Sequence, residues 1–442
     1  MRKKHIVAAA ILLVASLTLA ACSSSGSSST SAGAINTGKI DGKGRTLKVW
    51  WYDAANSATS LAWTAAIKEF EKETGAKVDF QLKSFEQLRT TASQVLNSSA
   101  APDVLEYNKG NATAGLLSSE GLLTNMDAAV KAYGWNKLLS PSVATTARYN
   151  AKGQMGSGHY YGVPTYGEYT MVYYNKDEFK KYGISVTTTF SEFVSDLAKF
   201  KAKGVTPLAE AGAEYPIQQL MYQLALSKAN RAWVDSYEEY TTPMNFHDAE
   251  WTYAANTIKD WADKGYFSKD DVSLKAQDME DSFIAGTNPI MASGSWWYGT
   301  IESTAKFQWG SFLFPGSTLS MGSGGNNWSV PANSKNKDLA YKFIDITLQK
   351  PSQDIQGNNG GLPVNTDPSK ITDPKSKELL ANFNVLNKRD GLSYYPDWPT
   401  ANFYDQLVAA CQTLVNGTQT PDQVLTTLQT QYDAGVKAIT GK

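Results

Sequence analysis

Apolar and polar positions along this chain follow two rhythms. Residues 47–52 read as a strand. Trp63, Ala66, Ile67 and Phe70 then recur at helical spacing up to Thr74 and Gly75. Residues 76–82 alternate as a second strand, and 85–96 carry a second helical stripe. Residues 102–107 form a third strand with a polar end at Asn108, Lys109, Gly110 and Asn111. Helical turns are expected over 116–129. This strand–helix–strand order opens an α/β sheet. Residues 160–174 read as a strand region broken by Pro164 and Gly167. Thr189 and Glu192 form a capping box ahead of the apolar stripe Phe193, Leu197 and Phe200. Helices are expected over 216–229, 249–264 and 279–285, and 307–314 alternates as a strand. Leu339, Phe343 and Ile346 mark another helix. Thr420 and Gln423 cap the last one, with Pro421 in its first turn. Leu407, Cys411 and Leu414 share one helical face, so Cys411 reads as a small core residue. Strands and helices alternate across the body, and the fold class is α/β.

The stretch 285–298 organises the rest. Gly286 and Gly294 bracket a short strand over 289–292, and Trp296, Trp297 and Tyr298 follow. Glycine permits backbone angles that side chains forbid, and α/β proteins place binding groups where a strand runs into such a loop. Neighbouring residues cannot all point inward, so at least one ring is expected on display. Broad ring faces with polar edges suit a ligand with apolar faces and a hydroxylated rim, which describes a sugar.

Composition adds limits. Arg2, Lys3 and Lys4 precede an uncharged apolar run over 6–21, too short for a comfortable membrane span. It ends in Leu19-Ala20-Ala21-Cys22, which looks like a bacterial lipoprotein box, so residues 1–22 read as a signal peptide with Cys22 as the lipidated residue. Residues 23–44 are rich in Ser, Gly, Ala and Thr and read as a flexible tether. The rest is too long for one core and suggests two lobes. A formal net charge of −1 gives no basic excess, which argues against nucleic acid. One internal Cys supports no disulfide framework. His5, His159 and His247 are scattered, so no metal site and no cofactor are expected. The 12 Trp and 23 Tyr need a large core or a stacking surface.

Several blocks in order then carry a family resemblance. They are 70–78, Pro102-Asp103-Val104, Gly162-Val163-Pro164 and Tyr174-Asn175-Lys176-Asp177. Ala285-Gly286 through Trp296, 334–344, Gly361-Leu362-Pro363 and Asn416-Gly417-Thr418 follow. Together they resemble the extracellular solute-binding proteins of ABC importers, in the oligosaccharide-binding branch that includes maltose-binding protein. The resemblance implies a two-lobe fold of mixed sheets flanked by helices, with a hinge between the lobes. The N-terminal lobe is expected over 45–162 plus 306–351, the C-terminal lobe over 163–305 plus 352–442. Ligand is expected in the cleft between them, with closure by hinge motion as in other periplasmic binding proteins. The implied partners are ABC permease subunits and, through the lipid, the outer face of the bacterial cell membrane. The protein is expected to be a monomer.

Matching positions imply the ligand contacts. The loop after the first strand offers Asp53, with Asn56 beside it, and the third strand ends in Tyr107 and Asn108. Glu168 falls at a cleft carboxylate near the hinge, and Tyr215 and Tyr404 fall at stacking positions. Trp296 and Tyr298 match an aromatic pair, with Trp297 expected to point away. Tyr394, Tyr395, Asp397 and Trp398 have no counterpart; Tyr395 and Asp397 are expected to contribute specificity, against the plainer reading of an exposed loop. Acidic and aromatic contacts without Arg suit a neutral oligosaccharide of two or more rings. A glycosidase would need two carboxylates flanking one bond, and no spacing motif supplies them, so binding without chemistry is expected. The rival cargo is ferric iron, held by adjacent tyrosines such as 394–395, 173–174 or 160–161. A surface adhesin is the third class and needs no hinged cleft.

Overall fold

The opening strand–helix–strand unit is the frame on which the first lobe is built. In the computed structural model, which describes residues 34–187 and 189–441, β1 (Thr46–Trp51) pairs in parallel with β2 (Lys77–Leu82) and with β3 (Val104–Tyr107). The signal segment, Cys22 and the tether up to residue 33 lie outside the described residues. Helix Ala58–Thr74 connects β1 to β2. Ser57 caps it by accepting from the Ser60 amide, and Gly75 ends it at φ 72°, where a side chain would be strained. Helix Phe85–Leu96 spans the residues its pattern predicts and buries Leu88, Ala92 and Leu96. Residues 35–44, expected in the tether, belong to the folded body. Ile40 is buried, and the Gly42 amide donates to the Thr74 carbonyl at 2.8 Å, so the folded body begins at Ile35.

The smaller strands that follow are β4 (Arg148–Tyr149) and β5 (His159–Tyr160), which pair with each other, and β6 (Val163–Pro164). Next come β7 (Gly167–Asn175), β8 (Leu208–Ala209) and β9 (Ile290–Gly294), then β10 (Trp309–Phe312), β11 (Gly322–Gly324) and β12 (Asn327–Ser329). They complete two mixed sheets. The first runs β2-β1-β3-β12-β6. The second runs β10-β7-β9-β8, with β11 also on β7. Strands β10 and β11 therefore lie on the second sheet, although 306–351 was expected in the first lobe. Conversely, helix Lys350–Asn358 packs on helix Ala58–Thr74 of the first lobe.

The chain crosses between the sheets at Thr165–Tyr166 and again at Gly325–Asn326, and these crossings touch. The Gly325 amide donates to the Tyr166 carbonyl at 2.6 Å, and Asn326 Nδ2 donates to the Tyr166 hydroxyl at 2.8 Å. Beside them the Gly167 amide donates to the Leu362 carbonyl at 2.7 Å, where the chain leaves the first lobe for the C-terminal helices.

Helices of the second lobe follow their sequence patterns closely. Both expected capping boxes form, at Thr189 with Glu192 and at Thr420 with Gln423. Helix Ala249–Lys264 has its expected bounds. Helix Pro216–Leu226 stops short of residue 229 because Asn230 caps an unforeseen helix, Arg231–Glu239, by accepting from the Trp233 amide. Residues 116–129 are interrupted at Gly121, φ 72°, which lets Leu122 and Leu123 turn into the core. Much of the aromatic content fills this lobe. Tyr222, Trp233, Tyr237, Phe246, Trp251 and Tyr432 pack ring against ring. Cys411 is fully buried with Leu407 and Leu414 on helix Phe403–Asn416.

Candidate functional site

A cleft of about 500 Å³ opens where the carboxyl ends of the first-sheet strands face the second lobe. Its size fits a small-molecule site, and its position is where open α/β sheets bind ligands. β1 delivers Tyr52 and Asp53, β2 runs into Phe85, and β3 runs into Asn108 and Lys109. The second lobe brings Glu168 at the start of β7, Tyr215 and Gln219, Trp296 and Trp297 after β9, then Tyr395, Asp397, Trp398 and Tyr404.

The floor is a charged network that joins the lobes. Lys109 is 2% exposed, and its ammonium pairs with the Glu168 carboxylate and donates to Asn326 Oδ1 at 3.0 Å. The ammonium also lies 5.5 Å from the Tyr395 ring centroid and 5.3 Å from that of Trp398. Asn326 continues the network through Tyr166, whose hydroxyl donates to Glu106 Oε1 at 2.8 Å. Burial and the charge of Asp53 push the Glu106 carboxyl well above the usual carboxylate range. Asp53 accepts from the Thr59 hydroxyl. Burial, with repulsion from Glu168, raises it to about 6 despite that bond and the nearby Lys109. Burial likewise raises Asp397 to about 6, against the attraction of Lys109 and Arg89.

The walls are rings. Trp296 Nε1 donates to the Tyr215 hydroxyl at 3.2 Å, and the Trp296 ring centroid lies 6.1 Å from that of Tyr395. Gly294 makes this possible, though not by the route the sequence suggests. Its φ of −89° is ordinary extended backbone, whereas Gly286 takes the turn at φ 75°. What Gly294 supplies is space, because the Trp296 indole folds back over it and a Cβ would collide with the ring. Gly294→Ala should therefore keep the fold and displace the indole, since overpacking costs about 1–3 kcal/mol unless the ring swings away. Ligand affinity falls in the variant if Trp296 is a contact; unchanged affinity would remove that ring from the site.

Of the residues expected at the site, Asp53, Asn108, Glu168, Tyr215, Trp296, Tyr395, Asp397 and Tyr404 converge on this cleft. Two do not. Tyr107 shares a strand face with Leu105 and is buried in the core, 4% exposed. Tyr298 is 1% exposed, with its hydroxyl donating to the Lys375 carbonyl at 3.0 Å and its ring against Tyr173 and Trp309. The reason is the turn. Ser295–Trp297 make one tight helical turn and Tyr298 starts helix Tyr298–Thr304. At roughly 100° per residue, positions 296 and 298 point to nearly opposite sides. Trp297, expected to point away, takes the cleft position beside Trp296.

The loop at 394–398 is a wall rather than exposed surface. The second lobe holds it through Arg231 Nη1 on the Leu392 carbonyl at 2.6 Å, Tyr222 on Ser393 at 3.0 Å and Tyr237 on Pro396 at 2.6 Å. Lys109 was missed, although it directly follows Asn108 at the polar strand end; Gln219 and Asn326 were missed as well, while Trp398, named with the 394–398 loop, does reach the lining. Of the adjacent tyrosine pairs, only Tyr395 reaches the cleft; Tyr173 is buried and donates to the Gly294 carbonyl at 2.8 Å. Among the described residues no cluster of three or more His, Cys, Asp or Glu is arranged to hold a metal, and no helix is long and apolar enough to cross a membrane.

Comparison with known proteins places the same residues in context. A family profile described as bacterial extracellular solute-binding protein matches residues 54–354. The multiple sugar-binding protein of Streptococcus mutans is 28% identical over 312 residues, covering 67% of this chain and 70% of its own. The diacetylchitobiose binding protein of Streptomyces coelicolor is 26% identical over 335 residues, covering 72% and 73%. A structure solved in work on xylan utilization by Caldanaerobius polysaccharolyticus superimposes with a TM-score of 0.76 at 23% identity, over 87% of this chain and 99% of that one. That superposition supports the two-lobe α/β fold.

Proposed function

The chain belongs to the bacterial extracellular solute-binding protein family, and we propose that it captures a neutral oligosaccharide of two or more rings between its lobes and delivers it to an ABC permease. The observation that carries this is the pairing of ring faces with charged acceptors in one cleft. Trp296, Trp297, Trp398, Tyr215, Tyr395 and Tyr404 offer surfaces for sugar faces. Asp53 and Asp397 accept hydroxyl hydrogens, and charged acceptors bond more strongly than neutral ones. Asn108 both donates and accepts, as a hydroxyl requires. The Lys109–Glu168 pair neutralises its own charge, and Lys83, the other lysine of the lining, rests on the Trp50 ring and donates to Gln81 Oε1 at 2.8 Å. The relatives support the class of ligand, being described as binders of sugars and of diacetylchitobiose.

In this reading the protein binds without chemistry and acts as a monomer. It is held to the extracellular face of the cell membrane by lipid on Cys22. The first lobe is the β2-β1-β3-β12-β6 sheet with helices Ala58–Thr74, Phe85–Leu96, Lys337–Leu348 and Lys350–Asn358. The second is the β7 sheet with the C-terminal helices. Because three tryptophans line the cleft, titration of tryptophan emission with neutral oligosaccharides tests the reading. Saturable change is expected with one glycan class; emission that ignores every glycan while another solute shifts it would refute the sugar assignment.

Acidity supplies a second test. A hydroxyl donor prefers the ionised carboxylate, so bound ligand lowers the Asp53 and Asp397 values below the empty-state figure of about 6. Affinity is then full above about pH 7 and declines as pH falls through 6. Protons are released on binding near pH 6, and calorimetry in two buffers of different ionisation heat measures this. Affinity independent of pH from 5 to 8 would remove both carboxylates from the ligand contacts.

A further inference from the structure

At the edge of the cleft, side chains of the two lobes meet in a cluster. Helix Phe85–Leu96 starts there and, through Glu86 and Arg89 one turn apart, faces the first residues of helix Phe403–Asn416. The latter helix packs on second-lobe helices Pro216–Leu226, Ala249–Lys264 and Pro421–Thr440. Arg89 grips Asp405 with two bonds, Nη2 to Oδ1 at 2.9 Å and Nη1 to Oδ2 at 3.2 Å. It also donates to Glu86 Oε2 from Nε at 3.1 Å and from Nη2 at 2.9 Å. Glu86 Oε1 accepts the Tyr404 hydroxyl at 2.6 Å, and the Arg89 guanidinium lies 4.0 Å from the Tyr404 ring centroid. Phe85 wedges between the rings of Tyr404 and Tyr215, at 6.2 and 6.1 Å.

We propose that Glu86 and Arg89 are positioning residues of the ligand site, a clasp that fixes Tyr404 on the cleft wall and holds the two lobes shut. The proposal rests on the reading of this cleft as the ligand site. Glu86, Arg89 and Asp405 are not among the residues lining the cleft, while Tyr404 belongs to both wall and clasp. An isolated surface ion pair stabilises little. This one differs in three ways. The arginine side chain is only 15% exposed, its planar fork engages two carboxylates, and it stacks on a ring. All of these bonds span the lobes or brace one that does, so they are lost together on opening. Their free energy therefore enters the open–closed equilibrium directly. Tyr404 couples that equilibrium to the ligand, because a ring seated by ligand is also seated for Glu86.

The test measures the distance between the lobes in the full chain without ligand. In a Cys22→Ser background, spin labels go on Ser119→Cys in the first lobe and Thr418→Cys in the second; Cys411 is fully buried and stays unlabelled. Arg89→Ala with Asp405→Ala is expected to shift the ratio of short to long distances toward long by roughly two- to fivefold. Salt at 1 M is expected to shift the wild type the same way and leave the variant unmoved. Arg89→Lys, which keeps charge but loses the fork, falls between. Glu86→Gln and Tyr404→Phe keep the shapes and are expected to lengthen the distance to a smaller degree. Distributions that coincide in all variants, with unchanged melting temperatures, would overturn the clasp. No sugar is added, so failure of the oligosaccharide reading and failure of the clasp give different results.

Discussion

Lys109→Met is expected to destabilise the protein by about 3–5 kcal/mol, the range for removing one partner of a buried ion pair. Lys109 and Glu168 are 2% and 5% exposed, and the lysine reaches from the first lobe to a carboxylate on β7 of the second. Methionine keeps the length of the stem and removes the ammonium. Glu168 is then a buried charge without its cation, and Asn326 Oδ1 loses its donor. Glu168→Gln should cost less, because the Lys109 ammonium it leaves keeps acceptors in the amide oxygen and Asn326 Oδ1 and the ring faces of Tyr395 and Trp398. The double variant should recover much of the loss, since replacing both charges removes the uncompensated one. Urea unfolding of the three variants measures this coupling. Single losses below about 1 kcal/mol that simply add would mean that the pair is solvated and not part of the floor.

Trp296→Ala carries the second large effect, on binding. Its indole lies between Tyr215 and Tyr395, tethered by its own N–H, and presents a face to the cleft. Buried aromatic anchors typically contribute about 2 kcal/mol or more, so the dissociation constant should rise at least ~30-fold. The fold should hold, because Trp296 is only partly buried, unlike Trp51, Trp63 or Trp251. Tyr298→Phe is the internal control. It removes the hydroxyl donated to Lys375 in the core and should change stability while leaving affinity alone. Equal affinities for wild type and Trp296→Ala would assign that indole to packing.

What the sequence made legible follows from local physics. The first strands and helices carry clean periods of two and 3.6, and their ends carry Ser, Thr and Gly caps that act within four residues. The resemblance singled out Asp53, Glu168, Tyr215 and Trp296 by motif position, and all four line the cleft. What escaped depended on distant partners. Lys109 reads as a solvated strand end until Glu168, 59 positions later, comes to face it across the lobes. The exchange of Tyr298 for Trp297 turns on whether residues 295–297 continue extended or wind into a turn, which the three rings alone do not decide. The loop with Tyr395, Asp397 and Trp398 has no period of its own. Tyr394 even takes a positive φ of 56°, and the loop holds its shape because Tyr222, Arg231 and Tyr237 fasten its carbonyls. The abundance of tryptophan proved a poor guide to ligand length, since Trp51, Trp63, Trp135, Trp251, Trp261 and Trp328 fill cores. It is the rings lining the cleft, Trp296, Trp297 and Trp398 among them, that bear on ligand length.

Calorimetric titration of the lipid-free body, residues 35–442, with neutral di- to tetrasaccharides decides whether the cleft takes an oligosaccharide. The set spans α-glucosides, β-xylosides, α-1,6-galactosides and β-mannosides. Saturable one-to-one heat with one class, and none with its monosaccharide, is the predicted result. Silence across the set from folded, empty protein that binds ferric iron or another non-sugar solute would contradict it.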